Sequence, residues 1–117
     1  MLEIWTFRVD VGTHVDLTGF DVEALDGSIG KIDEATYEAG QSCIVVDTGF
    51  WIFGKKRLLP AGVIDRIDSD RKKVYVNLTK DEIKSGPDWD AATWQSDNGR
   101  SEHGAYYERS EANPRTR

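Results

Sequence analysis

Apolar and polar residues alternate with a rough period of two in the segment 19–35, which reads GFDVEALDGSIGKIDEA. Every second residue from 20 to 24 is apolar, and this period of two is typical of a β-strand that buries one face. The dipeptide Asp26-Gly27 ends the alternation and favours a type I′ hairpin turn, which requires positive φ at both central residues. A second strand is therefore predicted over residues 28–32.

Similar patterns predict further strands along the chain. Residues 42–47 form an apolar, β-branched run that favours a central strand. Residues 63–68 and 73–78 flank a polar turn and predict a second hairpin. Gly30 indicates a bend or a close backbone approach within its strand. Pro60 cannot donate a ladder hydrogen bond, so the strand that contains it is expected to end there or to lie at an edge.

One short helix is expected after the last strand. Thr79 and Glu82 have the spacing of a capping box, in which two side chains bond the free amide groups at a helix start. Gly86 and Pro87 stop the helix soon afterwards. A helix this short is not stable alone, so it must pack on the sheet.

These elements predict one domain with two flanking segments. The chain has 117 residues, which suits a single domain with its own core. We expect an N-terminal arm over residues 1–15, a β-domain over residues 16–90 and a polar C-terminal tail over residues 91–117. The few aromatic residues of the tail are expected to anchor it if it is ordered.

Charge and cysteine content narrow the classes of partner. The formal net charge of −6 disfavours nucleic acid and anionic lipid, because both carry negative charge. A single cysteine excludes an intrachain disulfide and fits a reducing compartment. The chain shows neither a secretory signal nor an apolar run long enough to span a bilayer. We therefore expect a soluble, cytoplasmic protein.

Residues with catalytic or metal-binding potential are few. Cys43 could act as a nucleophile with His14 or His103 as base, but its place at the head of an apolar strand predicts an inert, buried thiol. Three acidic residues lie close together in the second hairpin but lack the remaining parts of a calcium loop, namely Asp65, Asp68 and Asp70. We therefore predict no catalytic residue, no metal site and no cofactor, and we expect that the protein is not an enzyme.

Two basic clusters stand out on this acidic chain, at residues 55–57 and 71–73. They could meet an acidic partner or RNA. Charges at strand ends more often keep turns soluble and protect sheet edges from pairing, and this interpretation is preferred.

Two aromatic segments form the candidate interface. The first lies in the N-terminal arm and either covers one end of the β-domain or contacts a partner subunit. The second combines large apolar residues in a row, and alternate side chains are expected to point inward and outward. The candidate interface residues are Trp5, Phe7, Phe50, Trp51 and Phe53.

Several segments in order resemble the PRC-barrel family. Residues 20–32 are similar to the opening of such a domain, and residues 42–47, 58–60 and 73–81 are similar to its later parts. The resemblance covers about residues 16–90 and is strongest to small stand-alone bacterial PRC-barrel proteins. It implies an all-β fold, a small and mostly antiparallel β-barrel with one short C-terminal helix and extended terminal arms.

The resemblance also implies a docking role. The family includes the cytoplasmic domain of the photosynthetic reaction-centre H subunit and the C-terminal domain of a ribosome maturation factor, and in both the barrel binds other proteins. The leading hypothesis is thus a non-enzymatic interaction or assembly module. It is expected to form a homodimer and to bind a further protein whose identity the sequence does not give. One alternative is a small-ligand or regulatory domain with a cavity lined by Trp51, Tyr75 and the C-terminal aromatic residues. Another is an RNA-processing or ribosome-assembly adaptor that uses the basic clusters.

Overall fold

The alternating segments form a six-stranded sheet in the computed structural model. The strands are β1 (Asp21–Ala24), β2 (Gly27–Thr36), β3 (Cys43–Asp47), β4 (Lys56–Pro60), β5 (Ile64–Asp68) and β6 (Lys73–Val76), and the helices are α1 (Lys80–Lys84) and α2 (Asp97–Ala112). The structure describes residues 4–5, 7, 16–37, 42–49, 56–87 and 97–112, with side chains of the last range described for 101–110.

Burial follows the alternation along the strands. Val22 and Ala24 of β1 are buried, as are Val74 and Val76 of β6, and the residues between them are only half-buried. Residues 43–46 of β3 are all buried, as expected for a central strand. The two predicted hairpins, β1–β2 and β5–β6, are therefore confirmed, and their inward side chains build the hydrophobic core.

The turn between β1 and β2 differs from the predicted type I′ turn. Ala24 pairs with Gly27, so that Leu25 and Asp26 form the connection. Among the described residues, only Lys72 and glycines have positive φ, so Asp26 does not adopt the backbone that a type I′ turn requires. Its carboxylate instead accepts a hydrogen bond of 2.8 Å from the backbone N–H of Lys80, which links this turn to the start of α1.

The strand order is β4-β3-β2-β1-β6-β5, and β1 pairs with β6 in parallel. The prediction of a mostly antiparallel sheet therefore holds for four of the five described strand pairs, those other than β1–β6. The outermost strands, β4 and β5, are joined by one 3-10 turn at Ala61–Val63. In a flat sheet they would lie about 24 Å apart, whereas this connection reaches about 14 Å at most.

The sheet must therefore curl strongly, so that its two outer strands approach each other. A hydrogen-bonded pair between β4 and β5 is not among the pairs that the described residues form. The described strand pairs thus form a curled, mostly antiparallel sheet, and the closure of this sheet into a barrel stays a prediction.

One charged residue from each strand contributes to a row of alternating sign across the sheet. Each member lies opposite the next in the strand register, because the sequence places opposite charges at paired positions. From β4 to β5 this charge row contains Lys56, Asp47, Lys31, Asp21, Lys73 and Asp68. Opposite charges at facing positions favour this register over slipped ones.

The α1 helix confirms the capping box, whereas α2 was not expected. The Thr79 side chain accepts a hydrogen bond from the Glu82 N–H at 3.2 Å, and the Glu82 carboxylate accepts one from the Thr79 N–H at 2.8 Å. Residues 97–112 form a 16-residue helix in the segment predicted as a polar tail. Tyr107 of this helix is buried in the hydrophobic core. It anchors the segment, as expected for an aromatic residue of the tail.

The predicted close approach at Gly30 is confirmed and is severe. Gly30 has a φ of +146°, and a Cβ at this position would overlap the backbone carbonyl oxygen of Asp47 in β3. The β2–β3 pair can thus form at its observed spacing only with glycine at this position.

We expect Gly30→Ala to lower the free energy of unfolding by roughly 2–5 kcal/mol, because it combines backbone strain with a clash against β3. Gly49→Ala is the matched control: Gly49 also has positive φ, +60°, but a Cβ there meets no atom within 4 Å. Urea denaturation of both variants measures the difference. Equal losses for the two would contradict the role of the Asp47 contact.

Candidate interaction surface

An exposed aromatic pair lies where the N-terminal segment meets the end of β2. Tyr37 directly follows β2 and is 44% exposed, the one large hydrophobic residue in the described part of the chain that is exposed. Its ring stacks on half-buried Phe7, with ring centroids 5.9 Å apart and planes 16° apart. The Tyr37 hydroxyl accepts a hydrogen bond of 3.0 Å from the Leu17 N–H. The ring is thus held in place from both ends, a favourable state for an aromatic contact residue.

Trp5 lies inside the molecule. Its carbonyl oxygen accepts a hydrogen bond of 2.8 Å from the Ser42 N–H, and the Ile4 carbonyl accepts one of 2.7 Å from the Gly62 N–H. These bonds place the N-terminal segment over the end of β3 and the turn after β4. Gly104 of α2 packs on the indole, which is 6% exposed. Trp5 therefore serves the chain's own core, the first of the two roles considered for the arm, and does not form part of the exposed surface.

Of the predicted interface, Phe7 is therefore the member that the structure places near the surface. Phe50, Trp51 and Phe53 lie outside the described residues, so their part in an interface stays a prediction. Tyr37 was missed by the sequence analysis because it stands alone in a polar connection. Its position immediately after a long strand, within reach of an aromatic arm, is the signal that could have identified it.

Arg57 belongs to the first basic cluster, yet it is 4% exposed. Its Nε donates to the Ile83 carbonyl at 3.1 Å and its Nη2 donates to the Lys84 carbonyl at 3.0 Å. Tyr106 of α2 donates its hydroxyl to the neighbouring Glu82 carbonyl at 2.6 Å. Three successive carbonyl groups at the end of α1, which a helix cannot satisfy internally, thus receive side-chain donors.

Two other members of the basic clusters form ion pairs with acidic residues. Lys56 forms an ion pair of 2.6 Å with Asp33, and this hydrogen bond raises the pKa of Lys56, with a further contribution from the charge of Asp47. Lys73 lies 3.3 Å from Glu23. The charges of Lys56 and Lys73 are therefore compensated by acidic side chains, as the preferred interpretation expects for charges at strand ends.

The second cluster continues into the hairpin turn. Arg71 lies 3.9 Å from the carboxylate of Asp68, and its backbone N–H donates to the same carboxylate at 3.1 Å. The guanidinium of Arg66 lies 3.5 Å from the same carboxylate of Asp68. Asp68 therefore organises the turn through two cations and a backbone amide.

The two described residues that were considered for catalysis are both buried. Cys43 is 1% exposed within the core at the start of β3. His103 is buried on α2, and His14 lies outside the described residues. Within the described ranges, no three His, Cys, Asp or Glu side chains are grouped so that they could hold a metal ion. The absence of catalysis stays a prediction.

The aromatic residues proposed to line a ligand cavity occupy different environments. Tyr75 is half-buried on the face of β6 opposite Val74 and Val76, with the guanidinium of Arg66 4.6 Å from its ring centroid. Tyr107 lies fully buried in the core. These two residues therefore do not share one cavity.

We expect Arg57→Met and Arg57→Lys each to lower the free energy of unfolding by roughly 2–4 kcal/mol, because the carbonyl groups of Ile83 and Lys84 lose the guanidinium donors that connect the end of α1 to β4. Lysine does not rescue the loss, since it keeps the charge but lacks the planar fork that reaches two carbonyls. The adjacent Lys56→Met variant is the control and should change stability little. Equal urea midpoints for Arg57→Met, Lys56→Met and the wild type would show that Arg57 has no such role.

No family profile matches the chain, and a search of curated proteins finds no significant match. Among solved structures, the chain is similar to a protein of Pseudomonas aeruginosa assigned to 16S ribosomal RNA processing, RimM. The two are 22% identical with a TM-score of 0.48, and the similarity covers 63% of this chain and 48% of that one, so the chain spans about half the length of the matched protein. In the described part of the chain, no helix is long and apolar enough to cross a membrane. The PRC-barrel family thus remains the resemblance drawn from the sequence.

Proposed function

We propose that this chain is a non-enzymatic protein-interaction module of the PRC-barrel type that self-associates as a homodimer. The observation that carries the proposal is the aromatic pair of Phe7 and Tyr37, a rigid and exposed apolar feature next to an otherwise charge-paired sheet. Rigid aromatic residues lose little conformational entropy on binding and are enriched among contacts that dominate interface energies.

The charges of the described surface favour a protein partner over RNA. Binding to RNA draws its affinity from lysine and arginine side chains that neutralise phosphates. Here acidic residues lie beside Lys56, Arg71 and Lys73. Arg57 is buried, so its guanidinium is not accessible to a phosphate. An RNA would have to displace these carboxylates, so the ribosome-assembly adaptor ranks below the protein-interaction module.

A second copy is the partner that the sequence itself supplies. Two aromatic segments on one small domain favour a self-complementary contact about a two-fold axis. Phe7 and Tyr37 provide the described part of this contact, and Phe50, Trp51 and Phe53 are proposed to extend it. We assign no role in the contact to Trp5, since it is buried against Gly104.

We expect Phe7→Ala and Trp51→Ala each to raise the dimer dissociation constant by roughly 10- to 100-fold, the range expected for an aromatic residue at the centre of an interface. Sedimentation velocity over a series of protein concentrations measures this change. Tyr75→Ala removes an aromatic ring from the outward face of β6 and serves as the control that leaves association unchanged.

Two outcomes would overturn this proposal. The first is a wild-type chain that sediments as a monomer at every concentration. The second is tight RNA binding that falls steeply with rising salt, which would favour the adaptor instead.

A further inference from the structure

The face that α2 presents to the sheet is unusual for a helix that covers a core. Its buried residues lie on one side of the helix, as their spacing requires, and α2 lies against β4. They are His103, Gly104, Tyr107 and Ser110. Tyr107 is the one large apolar side chain among them, so the burial of apolar surface by the described face of α2 depends mainly on a single ring.

The sequence of α2 gives the helix little stability of its own. It contains Gly99 and Gly104, and glycine disfavours a helix interior more than any residue except proline. With 16 residues, α2 only slightly exceeds the length of about 12–15 residues below which an isolated helix is marginal in water even with a favourable composition. The helix therefore forms because it is docked, and loss of docking would remove the helix as well.

The docked state contains an unfavourable group at the tip of Tyr107. Tyr107 is fully buried, and its hydroxyl has no hydrogen-bond partner among the described residues. A Cβ at Gly86 would lie 2.5 Å from this hydroxyl, so the group is pressed against the backbone after α1. Burial of an unpaired hydroxyl is unfavourable, and the hydroxyl regains hydrogen bonds to water once the helix leaves the sheet. Burial also raises the pKa of Tyr107, and the charge of Arg57 offsets part of this increase.

The neighbouring tyrosine has the opposite character. The hydroxyl of Tyr106 donates to the Glu82 carbonyl at 2.6 Å, and the two tyrosine rings meet edge to face with centroids 5.0 Å apart. Docking of α2 is thus a balance between one satisfied and one unsatisfied hydroxyl. The ladders of the sheet do not include any residue of α2, so the sheet can persist when the helix leaves.

We infer that α2 is a detachable cover that opens as a unit while the sheet stays folded, and that the surface beneath it accepts α2 of a second copy. This surface includes the indole of Trp5, the backbone at Gly86 and the carbonyl of Glu82. The contacts that hold α2 in its own chain are the ones that it would make on another chain, so exchange requires no new complementarity. The choice of a second copy rests on the proposed self-association and makes α2 a further part of it.

Opening is tested by native-state hydrogen exchange on the full-length chain. We expect the amides of residues 101–110 to exchange by local opening, many-fold faster than the amides of β3. Tyr107→Phe should slow exchange in α2 about tenfold, because it removes the unpaired hydroxyl, whereas Tyr106→Phe should accelerate it about tenfold, because it removes a bonded one. Exchange of α2 only together with β3, or the same direction of change in both variants, would overturn the cover.

Transfer between chains is tested by mixing two full-length variants. Gly86→Ala blocks the place of the Tyr107 hydroxyl but keeps an intact α2, whereas Tyr107→Ala keeps the receiving surface but removes the anchor. Each variant alone should show rapid exchange in α2. Mixed, they should form a heterodimer by native mass spectrometry in which α2 of the Gly86→Ala chain regains protection.

The double variant Gly86→Ala with Tyr107→Phe is the control for the block, because loss of the hydroxyl relieves the clash and should restore protection within one chain. A mixture with neither heterodimer nor recovered protection would overturn the exchange. The proposed homodimer is judged separately, by the response of sedimentation to Phe7→Ala. A dimer that weakens with Phe7→Ala while α2 fails to transfer would leave the proposed function standing and reject the exchange.

Discussion

The guanidinium of Arg57 is the constraint on which the C-terminal half of the structure depends. A buried cation must find acceptors, and the final carbonyl groups of α1 are the acceptors that this fold offers. Their positions are fixed in turn by the capping box at the other end of the helix and by the bond from Lys80 to Asp26. With α1 fixed at both ends, its Glu82 carbonyl is placed to accept the hydrogen bond from the Tyr106 hydroxyl, which connects α2 to α1.

Patterns in the sequence predicted those features that are specified by residues close to one another in the chain. The alternation around Val22 and Val74 and the capping box at Thr79 could be predicted because each depends on neighbours in sequence. A glycine inside a strand pattern predicted the close approach at Gly30, although the sequence did not identify the contacted residue, Asp47 of β3. The role of Arg57 could not be predicted, since a charge within a basic cluster normally marks a surface, and its acceptors lie 26 and 27 positions away. The helix α2 was missed for a related reason: its composition disfavours a helix, and docking through Gly104, Tyr106 and Tyr107 overrides that preference.

The parallel pairing of β1 with β6 was also beyond the pattern, because alternation reveals a strand but not its neighbour. Pairing is set by where charges and apolar faces meet, as in the charge row, and that information becomes visible only when the register is known. For the candidate surface, the sequence could not separate Trp5, which the chain itself covers, from Phe7, which stacks on an exposed ring. Burial of one and exposure of the other follow from the hydrogen bonds that place the arm.

The β1–β6 pair also has a consequence for the order in which the molecule can be built during translation. β1 joins β2 within a short hairpin, but its second edge must wait for β6, whose Lys73 lies 50 positions beyond its contact Glu23. A ribosome delivers the first hairpin well before that partner emerges. The nascent chain therefore carries an unpaired edge of β1 for much of its synthesis. Until β6 covers it, this edge can pair with other chains and must be shielded, a requirement that is absent from the folded protein.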